Sequence, residues 1–400
     1  MVEMIIPCLF DYGTGRVQVE VRLRQSDDCS VAASFTPTPP THAVIKDTCY
    51  LESVPGLAPL QLGRTLCHVR RHHESFGSTG YAESFDLVIA QARLEATPPP
   101  SASERVTVTV YVTNMLYDRP WNDAFNVVLD GQALSVAPQT AGRVTHIVRI
   151  DGIPHGEIAN AVDTVRSLCW LVSLATSRLV SIARVEASLG DRLVYRELRS
   201  LVEAPQRGLP LVNYHMTAAV EIVRFIEHSF PAYRQYVATY RLNNLITMSI
   251  LARQVVYQEN KVLLMSNFLE VLRYNYAQNV AAPAGTFTQQ GDKFFWTTRP
   301  SWAAGRTEAS FRDILFNFCS EQQITGWSED FKDIRNEIVH TGELQGVDAY
   351  ARYLDLHHFC DRVLLALLRW DDAGGAYLPI NQPSDPAPNV DGPNFVLFKK

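Results

Sequence analysis

The chain has 400 residues, 46% of them hydrophobic and 20% charged, with a formal net charge of −6. This fits a folded chain of two or three domains with a sizeable core, and excludes both a disordered chain and a generic basic coat for nucleic acid. The seven cysteines (Cys8, Cys29, Cys49, Cys67, Cys169, Cys319 and Cys360) contain no C-x-x-C pair, so no zinc site, disulfide framework or other cofactor is expected.

The first residues, Met1-Val2-Glu3-Met4-Ile5-Ile6-Pro7, lack the basic stretch and long apolar run of a signal peptide. The most apolar later segment, 168–185, is interrupted by Ser173, Thr176, Ser177, Arg178, Ser181 and Arg184, too polar a set for a membrane span. A cytoplasmic chain with reduced thiols and no membrane partner is expected.

Residues 1–155 read as a β-rich domain. Segments 17–24 and 105–112 alternate apolar and polar residues with period two, and 125–129 and 144–150 are further strand candidates. Pro37-Thr38-Pro39-Pro40, Pro98-Pro99-Pro100, Asp130-Gly131 and Ala141-Gly142 break them apart. Short strands at this spacing predict a sandwich-like or barrel-like sheet, a common recognition module.

Near residue 156 the period changes. Ile158, Val162, Val165, Leu168, Leu171, Val172 and Ala175 fall at helical spacing, and a hairpin turning at Gly190-Asp191 follows, so 156–214 reads as a helix-plus-hairpin connector. Residues 215–372 read as a helical domain, with helices at 215–228, 242–258, 261–279, 311–323, 328–339 and 347–370. A long Gly/Pro-containing loop, 281–309, interrupts it. The tail 373–400 is rich in Pro, Asn and Asp, and its Phe395-Val396-Leu397-Phe398 has the character of an edge strand. The fold class expected is α+β, a β-rich sandwich-like domain followed by an all-α bundle.

The chemistry concentrates in the helix around Ile334-Arg335-Asn336-Glu337-Ile338-Val339-His340-Thr341-Gly342. Ser328 suits the N-cap, Glu329 and Asp330 the first turn, and Gly342 the stop. Asn336 and His340 are four apart and share a face, with Arg335 flanking it. Arginine holds negative charge and histidine moves a proton near neutral pH, the two tasks of metal-free phosphodiester cleavage. On residue chemistry alone a second reading stands beside this one: a histidine at a helix end and a surface ion pair among Asp330, Asp333 and Glu337. The same spacing occurs again at Arg352 and His357, inside the last amphipathic helix, where both are expected on an exposed, solvated face.

The 334–342 stretch resembles the signature of the HEPN superfamily: an Arg, a polar residue, a few more positions, then His. Together with Phe268-Leu269-Glu270-Val271-Leu272 and the β-rich first half, it is similar to ApeA-like anti-phage HEPN proteins. The resemblance covers roughly residues 215–372. It implies a helical bundle that forms a homodimer or higher even oligomer, with the Arg/His helices of two protomers meeting at one site. It also implies metal-independent RNA cleavage by attack of the ribose hydroxyl, with Arg335 and His340 catalytic, Asn336 at the usual polar position, and Glu270 and Glu337 supporting. A phage-derived trigger bound by the first domain would fit the same layout. The alternative is a non-catalytic helical dimerisation module joined to a ligand-sensing β domain.

Residues 310–372 carry 6 Lys/Arg against 12 Asp/Glu, a net of −6, whereas 160–280 carry 13 against 9, a net of +4. An RNA track is therefore expected along the earlier helices, through Arg224, Arg234, Arg241, Arg253 and Arg273. Arg70-Arg71-His72-His73 is expected in a surface loop. His357 and His358 are adjacent and poorly disposed for a shared metal. Phe294, Phe295, Trp296 and Trp302 are candidates either for stacking bases or for pinning the long loop to the core.

Overall fold

The computed structural model describes residues 1–13, 15–37, 48–77, 80–115, 124–201, 211–212, 218–303, 307–324, 328, 330–341 and 349–370. It divides into two compact units, Met1–Cys169 with Val180–Ala204, and Trp170–Leu179 with Pro205–Lys400.

The first unit opens with β1 (Val2–Asp11), β2 (Arg16–Gln25), β3 (Val31–Phe35), β4 (Thr48–Ser53), β5 (Leu60–Leu62), β6 (Thr65–Gly77) and β7 (Gly80–Ile89). Six of these close into an antiparallel barrel, ordered β1-β2-β3-β7-β6-β4. Strand β2 shows why: Val19, Val21 and Leu23 turn inward while Arg22 and Arg24 turn out. Phe10, Phe35 and Phe85 meet inside the barrel, with ring centroids 4.7–5.2 Å apart. Closure removes the unpaired edges that an open sheet of these strands would expose. Of the sandwich-like and barrel-like sheets expected, these six strands form the barrel. Alternation assigns each residue to a face but says nothing of which edges join.

A second sheet holds β8 (Gln91–Ala96), β9 (Arg105–Thr113), β10 (Phe125–Leu129), β11 (Gln132–Ala141), β12 (Val144–Pro154), β13 (Ser181–Leu189) and β14 (Arg192–Arg199). With β5 it runs β10-β11-β12-β9-β13-β14-β8-β5. Asp130 and Gly131, with φ of 50° and 72°, make the two-residue turn between β10 and β11. Both φ values are positive, which suits the Asp-Gly pair. The hairpin expected at Gly190-Asp191 exists as β13 and β14, and it lies within the sheet, with β13 paired to β9. Helix α1 (Ile158–Thr176) buries Val165, Leu168, Leu171, Val172 and Ala175 completely. It is long and apolar enough by composition to cross a membrane, and 72% of its apolar window is buried in the fold.

The second unit contains α2 (Ala218–Tyr240), α3 (Leu242–Gln254), α4 (Gln258–Tyr276), a π-helical turn (Ala277–Ala281), β15 (Phe287–Gln290), β16 (Lys293–Trp296), α5 (Phe311–Glu321), α6 (Asp330–Thr341) and α7 (Ala349–Leu367). Helix α4 is the hub and packs against α2, α3, α5, α6 and α7. Helix α2 runs through Pro231, past the end expected at His228, because Phe230, Ala232 and Tyr233 around the proline are buried. That burial offsets the missing backbone hydrogen bond. Arg241, at φ 54°, ends α2 and lets α3 turn away. Ser310 and Asp313 form a reciprocal capping box that starts α5.

The expected loop 281–309 carries the β15–β16 hairpin. Phe294 and Trp296 are buried and pin it down, and Trp296 meets Phe287 at 4.6 Å. Trp302 remains 45% exposed, against Phe316 at 4.7 Å. The strand candidate at 395–398 and the helix stop at Gly342 lie outside the described residues.

Candidate active site

Helix α6 is fixed from its apolar side. Phe331, Ile334 and Ile338, at spacings of three and four, are buried. Phe331 meets Phe359 of α7 at 5.3 Å, and the helix packs on α4. At the start, the Ser328 hydroxyl accepts from the Asp330 backbone N–H at 3.2 Å. At the end, the Thr341 hydroxyl donates to the Glu337 carbonyl at 2.6 Å.

The side turned away from these anchors bears polar side chains. His340 is exposed in the last turn, and Asn336 and Glu337 are half-buried. At about 100° per residue, Asn336 lies ~40° from His340 on one side and Glu337 ~60° on the other. Arg335 is a residue of the same helix, ~140° round from His340; its side chain lies outside the described part. The carboxylate of Glu337 accepts from Arg352 of α7 at 2.9 Å. Glu270, on α4, is half-buried and accepts from Arg273 at 3.1 Å. An exposed imidazole beside an amide, on a helix held down by its opposite face, is a suitable seat for proton transfer.

The five arginines expected on an RNA track differ in position. Arg224, Arg234 and Arg241 are exposed, Arg224 lying 3.6 Å from Glu221 and over the Trp370 ring. Arg273 is half-buried, paired with Glu270 and over Phe311. Arg253 is corrected: its side chain is 3% exposed, and its guanidinium donates to Asp361 at 2.6 Å and to the Ser249 hydroxyl at 2.5 Å. A buried guanidinium with a carboxylate partner is not part of a surface track.

The second Arg/His pair is also corrected. His357 is fully buried, as are Tyr353, His358 and Asp361. Tyr353, His357 and Asp361 occupy positions i, i+4 and i+8, one stripe of α7 facing inward. The Tyr353 hydroxyl lies 2.7 Å from His357 Nδ1 and 3.3 Å from the Ala252 carbonyl, and His357 Nε2 lies 3.7 Å from Asp361 Oδ1. The ammonium of Lys261 sits 5.2 Å from the Tyr353 ring centre. Burial, with Arg253, His358 and Lys261 nearby, pushes the His357 pKa well down, so this ring is neutral. The four-residue spacing was the signal in the sequence. A polar residue every fourth position reads equally as a solvated stripe, and only the partner on α3 tells the two apart.

Arg70, Arg71, His72 and His73 lie on β6, not in a loop. His72 stacks on Phe85 at 4.5 Å and bonds the buried Glu83 carboxylate at 2.8 Å. Among the described residues no group of three His, Cys, Asp or Glu side chains is disposed to hold a metal ion. No family model, curated protein or solved structure matches the chain.

Proposed function

We propose that this chain is a metal-independent endoribonuclease of the HEPN type, acting as an anti-phage effector. The observation that supports it most is the exposed His340 on the outward side of α6, beside Asn336, while Phe331, Ile334 and Ile338 anchor the opposite side. A 2′-hydroxyl of RNA loses its proton to one imidazole and attacks the adjacent phosphorus. The P–O5′ bond breaks, the 5′ oxygen takes a proton from a second imidazole, and a 2′,3′-cyclic phosphate remains. Guanidiniums of Arg335 stabilise the charge on the equatorial oxygens. One chain supplies one His in this motif, so the reaction calls for two copies around one phosphate. The effector role, with a trigger sensed by the first unit, rests on the resemblance of layout to ApeA-like proteins.

The test is cleavage of single-stranded RNA by the purified full chain in chelator, with the product ends identified and the mass in solution measured alongside. Cyclic-phosphate ends that vanish in His340→Ala uphold the reading. Undiminished cleavage by that variant refutes it. A variant of Arg335 that loses the dimer, in a wild type that cleaves nothing, points to an interaction module instead.

A further inference from the structure

We propose that Arg352 is the positioning residue of the α6 site: its grip on Glu337 sets the rotation at which α6 presents Asn336 and His340. Helix α6 has only 12 residues, and among its described side chains the buried anchors Phe331, Ile334 and Ile338 form one narrow strip. Apolar contact is non-directional, so such a strip holds a short helix down better than it holds it from rolling. The Arg352–Glu337 contact lies on the flank, ~60° from His340, and resists that roll. It is 2.9 Å long with both side chains less than a third exposed (30% and 22%), so water screens it less than a surface pair.

The arginine is itself firmly based. Its neighbour Tyr353 is fully buried and bonded to His357 and Ala252, and two turns on Asp361 holds Arg253 of α3. Helix α7 cannot turn without leaving a buried charge or hydroxyl unpaired. The second Arg/His pair therefore splits its work: His357 locks α7 inward, and Arg352 reaches across to the helix carrying the first pair. The role of the presented face rests on the ribonuclease reading; the strut itself rests on these contacts.

The experiment uses the full chain with Arg352→Gln, Glu337→Gln and the exchanged double variant Glu337→Arg/Arg352→Glu. Hydrogen exchange of the α6 amides is followed by mass spectrometry, and kcat and KM are measured on a fluorophore-labelled single-stranded RNA. Each single variant is expected to speed exchange in α6 but not in α3, and to lower kcat about tenfold with KM within about twofold, as a misplaced group would. The exchanged pair is expected to recover both. Unchanged α6 exchange in both single variants overturns the proposal. So does loss of protection throughout α2, α3 and α4, since the pair would then hold the fold and not one helix. If the wild type cleaves no RNA, the ribonuclease reading fails, and the exchange pattern by itself decides the strut.

Discussion

Tyr353 and His357 stand one turn apart on α7, with the phenol oxygen 2.7 Å from the imidazole Nδ1. The phenol proton goes to the Ala252 carbonyl, so a neutral ring carries its own proton on Nδ1 and donates to the phenol oxygen, with Nε2 3.7 Å from Asp361 Oδ1. Asp361 in turn takes the Arg253 guanidinium. A helix that would otherwise read as half-solvated is thus stitched to α3 by the Tyr353–Ala252 and Arg253–Asp361 contacts.

Breaking that stitch is expected to be costly. Asp361→Ala leaves the Arg253 charge buried without its carboxylate, and should lower stability by about 3–5 kcal/mol. Joint replacement of Arg253 and Asp361 by Met and Leu should cost much less, because no charge is then stranded. Chemical denaturation of the full chain, followed by far-UV circular dichroism, measures both.

Acid should loosen the chain before its ordinary, exposed carboxylates titrate. His146, buried on β12, has its pKa pushed down to about 4 by desolvation, and His357 is pushed down as well. Below the ordinary histidine value of 6.5 the unfolded chain binds protons that the folded chain refuses, so stability falls as pH drops from 6.5 towards 4. The shift at His146 corresponds to at most ~3 kcal/mol, and to about 1–2 kcal/mol once water penetration and screening are allowed for. Asp355, raised to about 6 by burial, works the other way and offsets part of the loss. Denaturation midpoints at pH 7.5 and pH 5 should differ in wild type, and the gap should narrow in His146→Leu.

Removing the exposed imidazole should separate chemistry from folding. His340→Ala is expected to lose at least ~100-fold in RNA cleavage, the usual contribution of a general acid or base. Stability should stay within about 0.5 kcal/mol, since an exposed side chain leaves no cavity. A large fall in the melting transition of this variant would mean that the histidine is structural.

Phe331 is the anchor that should matter most to α6. Phe331→Ala removes a buried ring in contact with Phe359 and is expected to cost about 3–5 kcal/mol. Because the ring sits near the start of a short helix, part of that loss should appear as faster local exchange in α6. Global melting that leaves α6 exchange unchanged would contradict this.

Much of the second unit is legible in sequence because its helices repeat apolar residues every three or four positions. The starts and ends of α3 to α7 fall within a few residues of the expected ones, and the apolar strip of α6 follows from Phe331, Ile334 and Ile338. The barrel is less so. Strands such as β1 and β6 carry Pro7, or the run Arg70-Arg71-His72-His73, which reads as loop. Neighbouring strands override that local preference by supplying the backbone partners a strand needs.

By itself, the sequence determined that a histidine and an asparagine share one face of a short helix, because a period of 3.6 residues is a local property of the chain. The tertiary structure alone decided that Arg253, His357 and Asp361 are interior, that Arg352 reaches Glu337, and that six strands close on themselves. Burial and ion pairing depend on partners more than a hundred residues away in the case of Arg253 and Asp361, and no local pattern records a partner at that distance.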